Sequence, residues 1–498
     1  MPVYSVKVKW GRETFSDVEL NTDEEPMVFK AQIYALTGVI PQRQKVMIKG
    51  CVIKDDSWGA VNIAENLTIL LMGCKEEDLP REPSVKPLFL EDMNVAEIAS
   101  VSNTPAGLAN LGNTCYMNAT VQCLKTVTEL RDCLKSFKGG LGISGGMISA
   151  QSVTAALRDL YELMDKGFSV PPIMLLQFLQ MAFPRFADKN ENGTFVQQDA
   201  NECWTEIVRM LQQKLPSLTT EGFVSKHRFF IDQYFGGVFE VELKCDESEE
   251  EPVTKSEESF LQLSCFISQE VKYMNTGLKS KLQEKITKNS QCLNRDAIFT
   301  KTSKIKRLPA YLTVQFVRFY YKEKESINAK ILKEVKFPME FDAYDLCTPE
   351  LQAQLMPMRD RFKDEEERRL KVATQLKDSA LSSRNDNVEP SKTSYISEPF
   401  SFKSDLGSNN SGYYRLQAVL THRGRSSSSG HYVAWIRQNE TCWIKCDDDV
   451  ISPVSSEDVL KLCGGGDWHC AYVLLYGPKV LEIPDPLNNQ LSNKLWNE

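Results

Sequence analysis

Gly107-Leu108-Ala109-Asn110-Leu111-Gly112-Asn113-Thr114-Cys115-Tyr116-Met117-Asn118 is a glycine- and asparagine-rich turn running into a helix-forming segment. After Cys115, Met117, Val121 and Leu124 recur at helical spacing, so one face of the segment reads as core-facing. Cys115 then falls in the first turn, where unpaired backbone N–H groups and the positive end of the helix dipole favour a thiolate. Asn110, on the incoming loop, can aim its side-chain amide at the same point and is a candidate oxyanion donor. A lone cysteine at a helix start is more often a buried structural thiol than a nucleophile. The nucleophile reading therefore requires a base elsewhere in the chain.

The chain has only four histidines, His227, His422, His431 and His469. His431 follows Gly430, after a loop containing Ser426, Ser427, Ser428 and Ser429, and opens the strand-like run Tyr432-Val433-Ala434-Trp435-Ile436. A second strand-like run, Trp443-Ile444-Lys445-Cys446, ends in Asp447-Asp448-Asp449. Two antiparallel neighbours bring the start of one strand beside the end of the other. Cys115, His431 and Asp447 are thus expected as nucleophile, base and orienting carboxylate, with Asp448 as the second choice for the last role.

Several further stretches agree in order with one family. G-L-x-N-L-G-N-T-C-Y-M-N at 107–118, Gln197-Gln198-Asp199-Ala200-Asn201-Glu202, the L-P-x-x-L-x-x-x-x-x-R-F pattern from Leu308 to Phe319, the run from Tyr413 to His422 and G-H-Y-V-A-W at 430–435 together resemble the ubiquitin-specific proteases. The resemblance covers about residues 105–478 and implies a papain-like domain of thumb, palm and fingers. It implies a triad of Cys115, His431 and Asp447, an oxyanion residue at Asn110, and thiol-dependent hydrolysis of isopeptide or peptide bonds at the ubiquitin C-terminus. No metal or organic cofactor is implied. The ubiquitin tail is basic, so Asp199, with Gln198 beside it, is the expected charged contact, and Tyr432 is a further substrate-binding candidate. Asn201 and Cys203 stand where the family usually has His or Gln and Phe.

Residues 1–75 form a separate β-rich segment. Val6, Val8 and Trp10 alternate with lysines, Gly11-Arg12-Glu13 makes a hairpin turn, and Phe29, Ile33 and Leu36 keep helical spacing up to Gly38. Further strands are expected around Ile48, Val52 and Ile53 and over 67–71. The order resembles the ubiquitin β-grasp, but Met72-Gly73-Cys74-Lys75 replaces a terminal Gly-Gly, so the segment reads as a docking module rather than a conjugated tag. The overall class is α+β. With this module the chain resembles the proteasome-associated members of the family. That implies ubiquitin and polyubiquitinated proteins as substrates, docking on the 26S proteasome regulatory particle through residues 1–75, recycling of ubiquitin, and a cytoplasmic and nuclear location. It also implies a weakly active free enzyme. A mainly non-catalytic proteasome regulator and ubiquitin-binding adaptor is the alternative.

Composition is consistent with this division. The chain of 498 residues carries a net charge of −8, which argues against nucleic acid as a partner, and has no apolar run long enough to span a membrane. Its fourteen cysteines lack the spacing of a small secreted scaffold and read as free thiols. Residues 76–104 are polar and proline-punctuated, as in a linker. Fingers are expected at about 235–310. Relatives there often carry zinc on two C-x-x-C pairs, whereas here single cysteines, Cys245 and Cys292, stand in the corresponding places and no C-x-x-C occurs, so metal is not expected. The stretch 354–396 reads as an insertion, with a charged helix over 359–371 and disorder over 378–394, and 479–498 as a mobile tail. Finally, the serine loop before His431 is expected to lie over the substrate channel as a regulatory element, with Ser428 in an Arg-x-Arg-x-x-Ser frame open to phosphorylation.

Overall fold

The computed structural model describes residues 3–59, 61–75, 104–144, 147–148, 150–167, 169–322, 327–382, 395–426 and 429–485. The chain divides into two units, Met1–Met93 and Asn94–Glu498. The expected linker falls on 76–104, of which only Thr104 is among the described residues.

In the first unit the strand Val3–Trp10 pairs antiparallel with Glu13–Asn21 and parallel with Thr68–Met72. Lys45–Ile48 pairs with the other side of Thr68–Met72, and Cys51–Val52 completes a five-stranded sheet. The alternation in the sequence is realised directly, since Val6, Val8, Leu20, Ile48, Ile69 and Leu71 all turn into one core. The helix Pro26–Thr37 covers that core with Phe29 and Ile33 and ends on Gly38, whose φ of 73° closes the last turn. Leu36 departs from the expectation. It faces out, and Thr37 takes the buried place and donates to the Ile33 carbonyl.

In the second unit the helix Cys115–Lys125 is sheathed on every side. All its residues except Lys125 are buried, and it packs against the helices Ala200–Lys214 and Thr128–Ser136 and the strand His431–Arg437. That strand belongs to a twisted sheet running Leu263–Phe266, Leu312–Val317, Cys470–Pro478, Tyr413–Arg423, His431–Arg437, Cys442–Asp447, Val450–Ser455. One face of the sheet holds the helices. The other covers a second core built on Phe316, Tyr414, Trp443 and Tyr476.

The fingers form a separate sheet of four long strands, with Gly237–Cys245 and Arg295–Arg307 at its centre. Their tip is held by Cys245, Ala297 and Phe299, with Ile286 and Leu293 against them. There Glu251 accepts from Ser290 Oγ at 2.5 Å and from the Cys292 amide at 3.2 Å. Leu263–Phe266 lies within the expected finger span but pairs with Leu312–Val317 of the large sheet instead.

Two boundaries differ from expectation. The charged insertion is a helix from Pro349 to Ser382, so helix continues into the stretch read as disordered, while 383–394 lie outside the described residues. The start of the expected mobile tail is ordered, because Glu482–Pro484 pairs with Tyr395–Ser397. Arg369 also donates to the Glu482 carbonyl at 2.9 Å. A backbone ladder fixes a short polar segment that composition alone would leave loose.

Candidate active site

The turn before the helix Cys115–Lys125 is folded by its own side chains. Asn110 Oδ1 accepts from the amides of Gly112 at 3.0 Å and Thr114 at 3.2 Å, and Thr114 Oγ1 accepts from the Leu111 amide at 2.9 Å. Gly112 has φ 103°, a conformation that disfavours any side chain. Cys115 thereby becomes the first residue of the helix, as its sequence predicts.

His431 opens its strand and Asp447 closes the next one, and His431 Nε2 lies 2.6 Å from Asp447 Oδ1. With Nε2 taken, Nδ1 is the ring nitrogen left for the nucleophile. Gly430 sets this entry. A Cβ there would collide with the Arg423 carbonyl and the His422 ring. No hydrogen bond joins His431 to Cys115 among the described residues.

Asp448 is not a second orienting group for His431. It adopts φ 54° in the tight turn after Asp447, which swings its carboxylate toward the catalytic helix. There Oδ2 accepts from Asn110 Nδ2 at 2.8 Å and Oδ1 from Asn118 Nδ2 at 2.9 Å. The Asn118 amide also reaches the carbonyls of Leu108 and Ala109 at 3.2 and 3.3 Å. One of the two Asn110 amide protons is thus spent on Asp448 and the other remains for an oxyanion.

The expectation of a ready thiolate is corrected. Burial pushes the Cys115 thiol up to about 11, helped by the Asp448 charge and opposed by amides including that of Tyr432. A helix N-terminus lowers a cysteine that meets water, but here the loss of hydration outweighs it. Asp447 runs the other way: burial would raise it, and Lys445 and His431 together hold its carboxyl below the ordinary range.

A profile of the ubiquitin carboxyl-terminal hydrolase family matches residues 106–476. The chain is similar to Ubiquitin carboxyl-terminal hydrolase 7 of Arabidopsis thaliana, at 39% identity over 96% of this chain and 100% of the relative. It is similar to Ubiquitin carboxyl-terminal hydrolase 14 of Caenorhabditis elegans at 40% identity, covering 97% and 94%. Ubiquitin carboxyl-terminal hydrolase 6 of Schizosaccharomyces pombe is 38% identical, covering 95% and 98%. The chain belongs to the ubiquitin carboxyl-terminal hydrolase family. It is a cysteine-dependent deubiquitinating hydrolase.

Other residues singled out for this family's chemistry are placed differently from expectation. Asp199 is the N-cap of the helix Ala200–Lys214 and accepts from the Asn201 and Glu202 amides at 2.7 and 3.1 Å. Both its oxygens also accept from the Tyr472 hydroxyl, at 2.9 and 2.8 Å. Its carboxylate is therefore committed inside the protein rather than open to a basic tail. Gln198 is partly exposed beside it. The Tyr432 side chain is buried against His422, and what the residue offers Cys115 is its backbone amide.

Ser427 and Ser428 lie outside the described residues. The ends of their loop are tied down: Arg425 pairs with Asp467 at 2.9 Å, its carbonyl accepts from the Lys330 amide at 3.0 Å, and His422 Nε2 reaches the Ser429 carbonyl at 3.0 Å. Burial and nearby Lys330 bring His422 down to about 3, so it is neutral and Nε2 donates.

Sequence reasoning missed Asn118, Tyr472 and Lys445. Asn118 was the most accessible, lying one helical turn after Cys115 and hence on the same face. His431, Asp447 and Asp448 could also converge on a cation, but their oxygens and nitrogen already serve the contacts above.

Proposed function

We propose that this hydrolase removes ubiquitin from polyubiquitinated proteins at the 26S proteasome, holding on through its N-terminal unit and returning ubiquitin to the cytoplasmic and nuclear pool. The observation that carries this reading is the presence, in one chain, of the Cys115–His431–Asp447 site and a β-grasp unit with an apolar row on its outer sheet face. Val52, Met47 and Leu70 are register partners across three neighbouring strands and so share that face. Val52 and Leu70 are exposed, as is Met72 two residues further along. A β-grasp unit without a docking partner has no need of such a row.

In mechanism, a neutral His431 takes the Cys115 proton as sulfur attacks the carbonyl that joins ubiquitin to an amine. Asn110 and the backbone amides at the helix start hold the oxyanion. The His431 imidazolium, stabilised by Asp447, then protonates the leaving amine, and the same imidazole activates water against the thioester.

The test is co-sedimentation of the full chain with purified proteasome regulatory particle, beside a chain lacking residues 1–75 and the variants Leu70→Asp and Val52→Asp. Loss of binding in all three, with undiminished cleavage of a ubiquitin–fluorophore substrate, is expected. Undiminished binding by the truncated chain would remove the docking role.

A further inference from the structure

Asp447 is engaged on both of its carboxylate oxygens. Its Oδ1 faces His431 Nε2 at 2.6 Å, and its Oδ2 faces Lys445 Nζ at 2.7 Å. Lys445 and Asp447 stand two apart on the strand Cys442–Asp447, so their side chains leave on the same face. The lysine is itself placed. Its cross-strand register partner is Trp435, and its ammonium lies 5.9 Å from the centre of the indole. Trp435 Nε1 is anchored in turn on Thr421 Oγ1 at 2.9 Å. Lys445 is therefore no freely rotating surface lysine, as its side chain is only 28% exposed and lies between a fixed indole and a fixed carboxylate.

We propose that Lys445 is a positioning residue for the hydrolysis, clamping the free oxygen of Asp447 so that the other stays aimed at His431, and supplying a positive charge that keeps His431 available as a base. A carboxylate bound on one oxygen only can rotate about its last bond and carry the imidazole with it. With both oxygens engaged, that rotation breaks two charge-assisted hydrogen bonds at once. The charge matters separately. An isolated carboxylate beside an imidazole favours the imidazolium, which cannot accept a proton. The ammonium on the far oxygen offsets part of that field.

The need for a neutral base is acute in this site because Cys115 is held as a thiol, so its proton must be moved during attack. Among the described residues, the other charged and titratable groups near the couple include His422, buried and neutral, with Arg423, His469 and Asp448. Arg423 is the register partner of His431 on the adjoining strand. His469 lies edge-on to His431 and is brought down to about 4 by burial, Arg423 and His431, so it is neutral. Asp448, across the turn, is engaged with Asn110 and Asn118. Lys445 is the ammonium bonded directly to the triad carboxylate.

The experiment measures kcat and KM against pH from about 5.5 to 9 on a ubiquitin–fluorophore substrate for the full chain and for Lys445→Met, Lys445→Gln and Lys445→Arg. Lys445→Met removes clamp and charge, and should lower kcat about tenfold with little change in KM. It should also move the acidic limb of kcat/KM up by about one-half to one pH unit. Lys445→Gln keeps a donor without the charge, so it should keep most of kcat yet show the same shift of the limb. Lys445→Arg keeps the charge and should hold the limb at its original pH. If Lys445→Met folds poorly, the comparison of Gln with Arg still decides. An acidic limb that stays in place in both Met and Gln variants overturns the proposal, as does an equal shift in the Arg variant. Either result leaves Lys445 a packing residue only.

Discussion

Asn110 Nδ2 stands 2.8 Å from Asp448 Oδ2, so the candidate oxyanion donor is aimed by a carboxylate 338 positions later in the chain. The same carboxylate holds Asn118 on the catalytic helix. Adjacent aspartates thus have separate duties: Asp447 serves the base and Asp448 serves the oxyanion loop.

That division gives different expectations for the two aspartates. Asp448→Ala should release Asn110 and lower kcat by about 10- to 100-fold while leaving the acidic limb of the pH profile in place. Asn110→Ala should cost about 10²–10³ in kcat if it is an oxyanion donor of ordinary worth. The double variant should be little worse than Asn110→Ala alone, because both remove one function. Steady-state kinetics on a ubiquitin–fluorophore substrate decide it, and fully multiplicative losses would show that Asp448 acts elsewhere.

Cys115→Ala should abolish hydrolysis and leave ubiquitin binding largely intact. His431→Ala should be nearly as severe. Asp447→Asn should be milder than His431→Ala, since the imidazole remains, but Asp448 gives no rescue because its oxygens face the asparagines. Residual turnover of Asp447→Asn that disappears on adding Asp448→Asn, without further loss of Asn110 function, would contradict this assignment.

Asp199 carries a stability prediction. Its carboxylate caps a helix and takes the hydroxyl of buried Tyr472. Asp199→Ala removes the cap and leaves that hydroxyl without a partner, for a loss of about 2–4 kcal/mol, read as a lower denaturant midpoint of the catalytic unit. Burial pushes the Asp199 carboxyl up, against the hydrogen bonds that lower it. A raised folded value means that the folded state binds the proton more tightly. Its stabilising contribution is therefore complete below the ordinary carboxylate range and declines as the pH rises through the raised value. Asp199→Asn should lie furthest below wild type at low pH and close the gap as pH rises. A gap that widens with pH would reverse the sign.

How much of this was legible in sequence follows from the range of each interaction. Cys115, His431 and Asp447 could be placed because each sits at an element end marked by local signals: an Asn/Gly turn, a glycine before a strand, and an acidic strand terminus. The β-grasp core was legible from alternation, down to Val6, Val8 and Ile69. The role of Asp448 was not, because it depends on a left-handed turn conformation and on a loop from the other end of the domain. Asp199 read as an open acid because its quenching partner, Tyr472, is 273 positions away. The ionisation of Cys115 depends on how completely the helix start is covered, which no local pattern records.

The covered Cys115 thiol gives the sharpest solution test. With its thiol at about 11, Cys115 at pH 7 carries a thiolate fraction on the order of 10⁻⁴. Alkylation of the free enzyme by iodoacetamide, followed at the Cys115 peptide by mass spectrometry, should therefore be slow at neutral pH. It should rise about tenfold per pH unit from 7 to 10, since only the thiolate reacts. Reading that peptide alone is necessary because Cys51, Cys74 and Cys292 are exposed and will label as well. A preformed thiolate–imidazolium pair would instead give fast labelling with a plateau already below pH 8. Ubiquitin carrying a C-terminal electrophile should behave differently from iodoacetamide. Seating the tail against Cys115 places the electrophile for attack as His431 takes the proton, so its labelling rate should follow the pH profile of hydrolysis rather than that of a free thiol. Identical pH profiles for the two reagents would mean that the resting thiol, and not general-base assistance by His431, governs reactivity.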